Sequence, residues 1–268
     1  MVLTLTFLGA AGAILVLSPL VLTAGRWQVR HPRTALTLWF GACLTGTGFA
    51  AASVIVALTS SVTARDVSNS AESFALTAAG WGSLGVVGAL IAFVSASAEP
   101  LTRSWRDSVE RFAPVAIARE ERGAYTLVWF RSDEPIAYAV PSRSPEILVS
   151  TGLRELLSPP QLAAVLAHEH AHLRQRHGWA VRIAEINALC LPRSLRAGRA
   201  LKRATLLLIE LIADDTAAKH AGAVHLANAL ATMGRTTADP GLELRADRLT
   251  LRKWPSTRHH RYAAAARA

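Results

Sequence analysis

Residues Gln161–His177 read QLAAVLAHEHAHLRQRH, a stretch that opens apolar and closes on histidines. Its first half, LAAVLA, consists of good helix formers without Gly or Pro, so it predicts a helix. Ser158-Pro159-Pro160 supplies the start, with Ser158 as cap and proline in the first turn. On that helix His168 and His172 stand i and i+4, one turn apart on one face. With Glu169 they form the motif HExxH. Two imidazoles so placed can hold one Zn²⁺, and the Glu169 carboxylate beside them can act on water without ligating the metal. His170 lies i+2 from His168 and faces away from it. His170 and His177 read as surface groups or as neighbours of the ligands rather than as ligands.

A site of this kind needs a third protein ligand. The metzincin continuation x-x-G-x-x-H fails, because Gln175 stands where the glycine should be and Gly178 where the histidine should be. A glutamate on a later helix is the other solution. Leu206–Ala218, LLLIELIADDTAA, predicts such a helix, with Glu210 and Asp214 on one face. A carboxylate among these apolar neighbours is costly without a partner, and a metal supplies one. Glu210 is therefore the expected third ligand. Asp214 is expected to accept the free ring N–H of a ligand histidine and so fix its tautomer. Asp215 is expected to face solvent, and His220 and His225 read as surface groups.

The 268-residue chain carries a net charge of +10 and is 51% hydrophobic, enough for one soluble domain plus a membrane region. Three of its 29 basic residues are lysine and the rest arginine, dispersed and without a nucleic-acid motif, so no nucleic-acid partner is expected. Cys43 and Cys190 have neither CxxC nor zinc-knuckle spacing, and no disulfide framework is expected of two cysteines so placed.

Three uncharged apolar stretches precede the metal motif: residues 1–24, Thr34–Ser60 and Phe74–Ala98. Each is long enough to cross a bilayer. The first lacks the basic start of a signal peptide and is expected to be retained. Arg26, Arg30 and Arg33 follow the first stretch, and Arg103, Arg106 and Arg111 follow the third. By the positive-inside bias both groups face the cytoplasm. The N-terminus and the Ser61–Ser73 loop are then outside, and the metal motif is in the cytoplasm of a multi-pass cell-membrane protein. The outer loop leaves no room for a sensor domain, so a separate sensor or repressor partner is expected.

Between the membrane region and the motif, Arg119–Gly123 reads as a charged turn. Ala124–Phe130, Ala137–Val140 and Glu146–Ser150 read as strand pieces. An exposed Glu146–Ser150 edge could take up an extended peptide by strand addition. Past the motif, Trp179–Leu191 is an amphipathic helix and Arg193–Arg203 a basic connector. A further helix runs from Gly222 to about Met233. The tail from Thr236, arginine-rich and ending WPSTRHHRYAAAARA, reads as poorly ordered, with no metal site at His259-His260.

HExxH followed by ExxxD on a second helix resembles the membrane-embedded gluzincin peptidases. LAAVLAHEHAHLRQRH and ELIADDTAAKHAG are most similar to the BlaR/MecR-type antirepressor metallopeptidases, with the HtpX and CAAX-prenyl-protease group beside them. The similarity covers about Ala137–Ala221. It implies zinc on His168, His172 and Glu210, catalysis by Glu169, support from Asp214, and a protein or peptide substrate. The expected fold is mainly α, with three N-terminal transmembrane helices followed by a cytoplasmic gluzincin α+β peptidase domain bearing a small β element. The expected domains are a membrane region over 1–99, a zinc peptidase over 100–235 and a basic tail over 236–268. The expected activity is that of a zinc metalloendopeptidase cutting a regulator. Its rivals are HtpX-like quality control of membrane proteins and a non-catalytic membrane regulator.

Overall fold

Helices carry most of the chain in the computed structural model, which describes residues 2–22, 24–25, 27–63, 74, 116–142, 144–190 and 196–254. Two units are present, Met1–Leu101 with Val181–Leu208, and Thr102–Ala180 with Ile209–Ala268.

The first unit begins with α1 (Val2–Leu22), a single turn α2 (Trp27–Arg30) and α3 (Pro32–Thr63). Pro32 opens α3, where its missing N–H costs nothing. Val2–Leu22 and Pro32–Ser60 are both long and apolar enough to cross a membrane. The 21 residues of α1 reach about 30 Å, the thickness of the hydrocarbon core. Much of the apolar surface of these helices is uncovered, including Leu3, Leu8, Leu17, Leu44 and Ile55. Thr6, Thr37, Thr47 and Thr59 each donate to the carbonyl four residues earlier, which satisfies these hydroxyls within the helix. Phe7 and Phe49 pack with ring centroids 5.8 Å apart. Trp39 and Ala35 join Ala184, Leu201 and Leu208 in a small core. The expected third span, Phe74–Ala98, lies outside the described residues except for Phe74, and so does most of the Ser61–Ser73 loop.

The second unit contains a four-stranded sheet of β1 (Ala116–Glu121), β2 (Thr126–Phe130), β3 (Ala137–Val140) and β4 (Glu146–Ser150), in the order β1-β2-β4-β3. β4 runs parallel to β2 and antiparallel to β3. Both faces of β2 and β4 are buried. Leu127, Trp129, Ile147 and Val149 fill one cluster, and Val128, Phe130 and Leu148 fill another. This explains why TLVWF and EILVS are almost continuously apolar rather than alternating.

Two expectations for this region are corrected. Arg119–Gly123 is largely strand β1 rather than a turn. Its charges decorate an edge: Arg119 pairs with Glu146 at 2.8 Å, and Glu120 accepts from the Trp129 indole at 2.7 Å. The turn falls just beyond, where Gly123 has φ 71°. Glu146–Ser150 is not an edge but a central strand with both sides paired, so it has no free backbone for a peptide. The edges are β1 and β3.

A tight corner joins the sheet to the helices. The buried Ser150 hydroxyl caps α4 (Thr151–Leu156) by accepting from the Leu153 N–H at 3.1 Å, and it also donates to the Glu134 carbonyl at 2.6 Å. At Gly152 the chain passes so close to the Asp133 carbonyl that a Cβ would lie 2.2 Å from its oxygen. Then α5 (Pro159–Arg174) starts with Ser158, whose N–H donates to the Gln161 side chain at 2.9 Å. Val165 and Leu166 face the sheet cluster.

Four helical elements follow: α6 (His177–Cys190), α7 (Arg196–Ala217), a π-helical segment (Ala218–Gly222) and α8 (Ala223–Thr237). Most of the Arg193–Arg203 connector is thus helical, being the start of α7. A last helix, α9 (Pro240–Leu251), overturns the expectation of poor order after Thr236 for this stretch. Asp239 caps it by accepting from the Gly241 N–H at 2.8 Å, and Pro240 opens it. Ala246 and Leu249, one turn apart, are buried with Leu226, Leu230 and Ala164. Leu242 and Trp254 pack against the same cluster and help to dock the helix. Residues 255–268, with His259 and His260, lie outside the described residues.

Candidate metal centre

Helix α5 presents His168 and His172 side by side, and the C-terminal half of α7 presents Glu210 and Asp214 to them. The His168 and His172 Nε2 atoms face each other at 3.1 Å. Glu210 closes the triangle, its carboxylate 3.4 Å from His168 Nε2 and 3.5 Å from His172 Nε2. One ligating atom from each of the three lies within 4.8 Å of the others. Two imidazole nitrogens turned toward each other beside a carboxylate form a donor set that suits Zn²⁺, which takes nitrogen and oxygen ligands with a fourth position left open. The three residues chosen from the sequence are therefore brought together.

Asp214 is fully buried and sits 3.0 Å from His168 Nδ1, on the far side of the ring from the cluster. The ring nitrogen does not aim squarely at the oxygen, so the contact is an ion contact more than a well-aligned hydrogen bond. Glu169 points to the other wall of the site, where the Ala139 backbone N–H of β3 donates to its carboxylate. His170 leaves the cluster and packs against Tyr125 at 5.2 Å between centroids.

Arg245, on α9, was not singled out by the sequence reading. Its Nε and Nη2 grip Asp214 as a fork at 2.8 and 2.7 Å, and its Nη1 lies 2.9 Å from Glu210. One guanidinium thus spans both acidic side chains of α7, a geometry that lysine cannot reproduce. Asp215 is also corrected. It is buried rather than solvent-facing, and pairs with Arg248 and Arg252 at 2.8 Å each. Arg252 in turn covers the Trp254 ring at 4.7 Å. The acidic pair Asp214-Asp215 is therefore answered by three arginines of the chain's last described segment.

The charges are strongly coupled. Burial alone would push the His168 pKa down, but Asp214 and Glu210 outweigh it and raise it to about 9. Burial and the neighbouring His168 hold His172 down at about 3. Burial opposes ionisation of Glu210 and Asp214, yet His168 and Arg245 keep both below the usual carboxylate range. Burial pushes Glu169 up to about 7, with His168 opposing and Glu210 adding to the rise. Glu210 and Asp214 thus each face an imidazole and the Arg245 guanidinium.

A helix bearing HExxH, a second helix bearing a glutamate, and a sheet edge above them define a metallopeptidase. The model of Peptidase family M48 matches residues 99–253, more than half of the chain, and the chain belongs to that family. The match runs through α9 and so includes Arg245. Comparison with curated proteins and with solved structures gives no match.

Proposed function

We propose that this chain is an integral-membrane zinc endopeptidase that cuts a cytoplasmic or membrane-proximal protein, most specifically a regulator such as a repressor. The observation that carries the reading is the convergence of His168, His172 and Glu210 from two helices, with the Glu169 carboxylate beside them. In this reading the two histidines and Glu210 hold the zinc. Zinc would supply Lewis-acid activation of water and of the scissile carbonyl. Glu169 takes the proton from the attacking water and returns it to the leaving amine. The Glu169 carboxylate stands beside the cluster, where it can make both halves of that exchange. Asp214 holds the His168 ring, and Arg245 holds Asp214 and Glu210. An extended substrate segment lies along the free side of β3, the edge strand that reaches Glu169 through Ala139.

The membrane part rests on the two long apolar helices and on the arginines that follow the apolar stretches. The regulator as substrate rests on the likeness of the two motif stretches to antirepressor peptidases.

Metal content tests the chemistry. Purified chain is expected to carry about one zinc, in line with a single His-His-Glu site. Glu210→Ala is expected to lose it, and full zinc with full activity in that variant would show that the ligand set is wrong. Substrate class is read by comparing the proteins that accumulate in cells with the wild type and with Glu169→Gln. One or a few DNA-binding proteins are expected. Broad accumulation of damaged membrane proteins would replace the regulator reading with quality control.

A further inference from the structure

We infer that His177 is a positioning residue for the metal ligand His172: its Nδ1 accepts the Nδ1 proton of His172, fixing that ring's tautomer and its aim. The inference rests on the zinc reading above and adds a residue to it. His177 is buried, only 4% exposed. Its Nδ1 lies 3.1 Å from His172 Nδ1, and the two rings meet edge to face with centroids 4.9 Å apart.

Helical spacing does not explain this contact. Residues i and i+5 on a continuous helix point about 140° apart. The contact is made because α5 stops at Arg174 and α6 begins at His177. The turn between them is sharp. Arg176 takes φ 52°, a left-handed conformation that a long side chain rarely adopts. Gln175 anchors the turn by donating from its side-chain amide to Thr216 Oγ1 at 2.8 Å. Thr216 follows Asp214 by two positions on α7. A strained, anchored turn that returns a buried imidazole onto the ligand ring is the kind of local cost that accompanies a functional constraint.

The chemistry fixes the direction of the bond. Two Nδ1 atoms at 3.1 Å share one proton. His172 turns its Nε2 toward His168 and Glu210, and that nitrogen must offer a lone pair to ligate. The proton of His172 is then on Nδ1 and is donated to His177, whose own proton sits on Nε2. The two ligand histidines are thus oriented differently: His168 by the Asp214 carboxylate, His172 by a neutral ring. A neutral partner adds no negative charge to a pocket that already holds Glu169, Glu210 and Asp214 against Arg245.

The test uses the full chain in detergent as wild type, His177→Leu, His177→Asn and His177→Gln. Zinc affinity is read by competition with a chelator, and ligand geometry by the visible absorption of the Co²⁺-substituted protein. The asparagine amide oxygen falls where Nδ1 stands, whereas the glutamine amide reaches past it. Leu is expected to weaken zinc binding about 10–100-fold and to alter the Co²⁺ bands. Asn is expected to restore both to within a few-fold of wild type, and Gln to fall short of Asn. Wild-type affinity and bands in Leu, or Asn as weak as Leu, overturn the role. If Leu does not fold, equal behaviour of Asn and Gln overturns it in the same way. A wild type that takes up no zinc is a separate result that removes the zinc reading itself.

Discussion

Glu169 and Arg245 occupy opposite ends of the same charge arrangement, and they fail differently when changed. Glu169 stands beside the cluster and is not part of it, so Glu169→Gln is expected to keep zinc while losing turnover. General-base contributions are about 10²–10⁴-fold, so cleavage of a peptide substrate should fall at least that far with zinc content unchanged. An active Glu169→Gln enzyme would assign the base to another group. Arg245 is different because it answers Asp214, a carboxylate with no exposure at all. Removing Arg245 takes away the forked partner and leaves the buried Asp214 carboxylate only its contact with His168; losing one partner of a buried pair costs up to about 3–5 kcal/mol. Arg245→Gln should therefore lower stability to urea by about that amount and loosen the metal, with Arg245→Lys intermediate. Unfolding midpoints unchanged from wild type would show that the contact with His168 is enough to hold Asp214. His168, His172, Glu210 and Asp214 were legible in the sequence because each pair lies within one helical turn, where spacing alone fixes the face. Arg245 was not, because it meets His168 across 77 residues and its identity says nothing of its destination.

At the scale of elements, apolar runs were read well and mixed ones poorly. The helices carrying LAAVLA and LLLIELIA and the strands TLVWF, AYAV and EILVS all stand where their composition puts them. AIAREE and PGLELRADRLTL were missed because an edge strand and a docked surface helix bury few residues each. The sign of the second was nonetheless present, an Asp-Pro pair at a helix start followed by apolar positions at Ala246 and Leu249. Strand order was out of reach, since the parallel β2–β4 pairing depends on the crossover and not on either strand's residues. The corner at Gly152 carries its own prediction. The Asp133 carbonyl that a methyl would strike is backbone and cannot swing away. Gly152→Ala should therefore destabilise the second unit by about 3 kcal/mol or more, read as a lower urea midpoint. Unchanged stability would mean that the 131–136 segment can move aside.

For the whole molecule, the membrane reading proposed above predicts how the chain threads a bilayer. In that reading the arginines after the first and third apolar stretches would put both of those loops inside, and the same rule would put the residues after Ser61 outside. Reporter fusions after Ser61 and after Arg111 should therefore signal opposite sides of the membrane. The same side for both would remove a span. The described residues contain two of the three stretches as helices, so the topology is a prediction from charge and length alone. What the sequence could supply here was a count of apolar stretches. It could not supply how residues 181–208 join the first unit, because that depends on Ala184, Leu201 and Leu208 finding Trp39 and Ala35 from far along the chain.

The helix α9 also sets a timetable. Synthesis runs from the N-terminus, so the histidines of α5 leave the ribosome first and the carboxylates of α7 next. Arg245 comes last, 77 residues after His168. Until it arrives, Asp214 has His168 beside it but not the guanidinium fork, and the cluster lacks its clamp. With the guanidinium that bridges Asp214 and Glu210 on the last described helix, the cluster is complete only once that helix has been made.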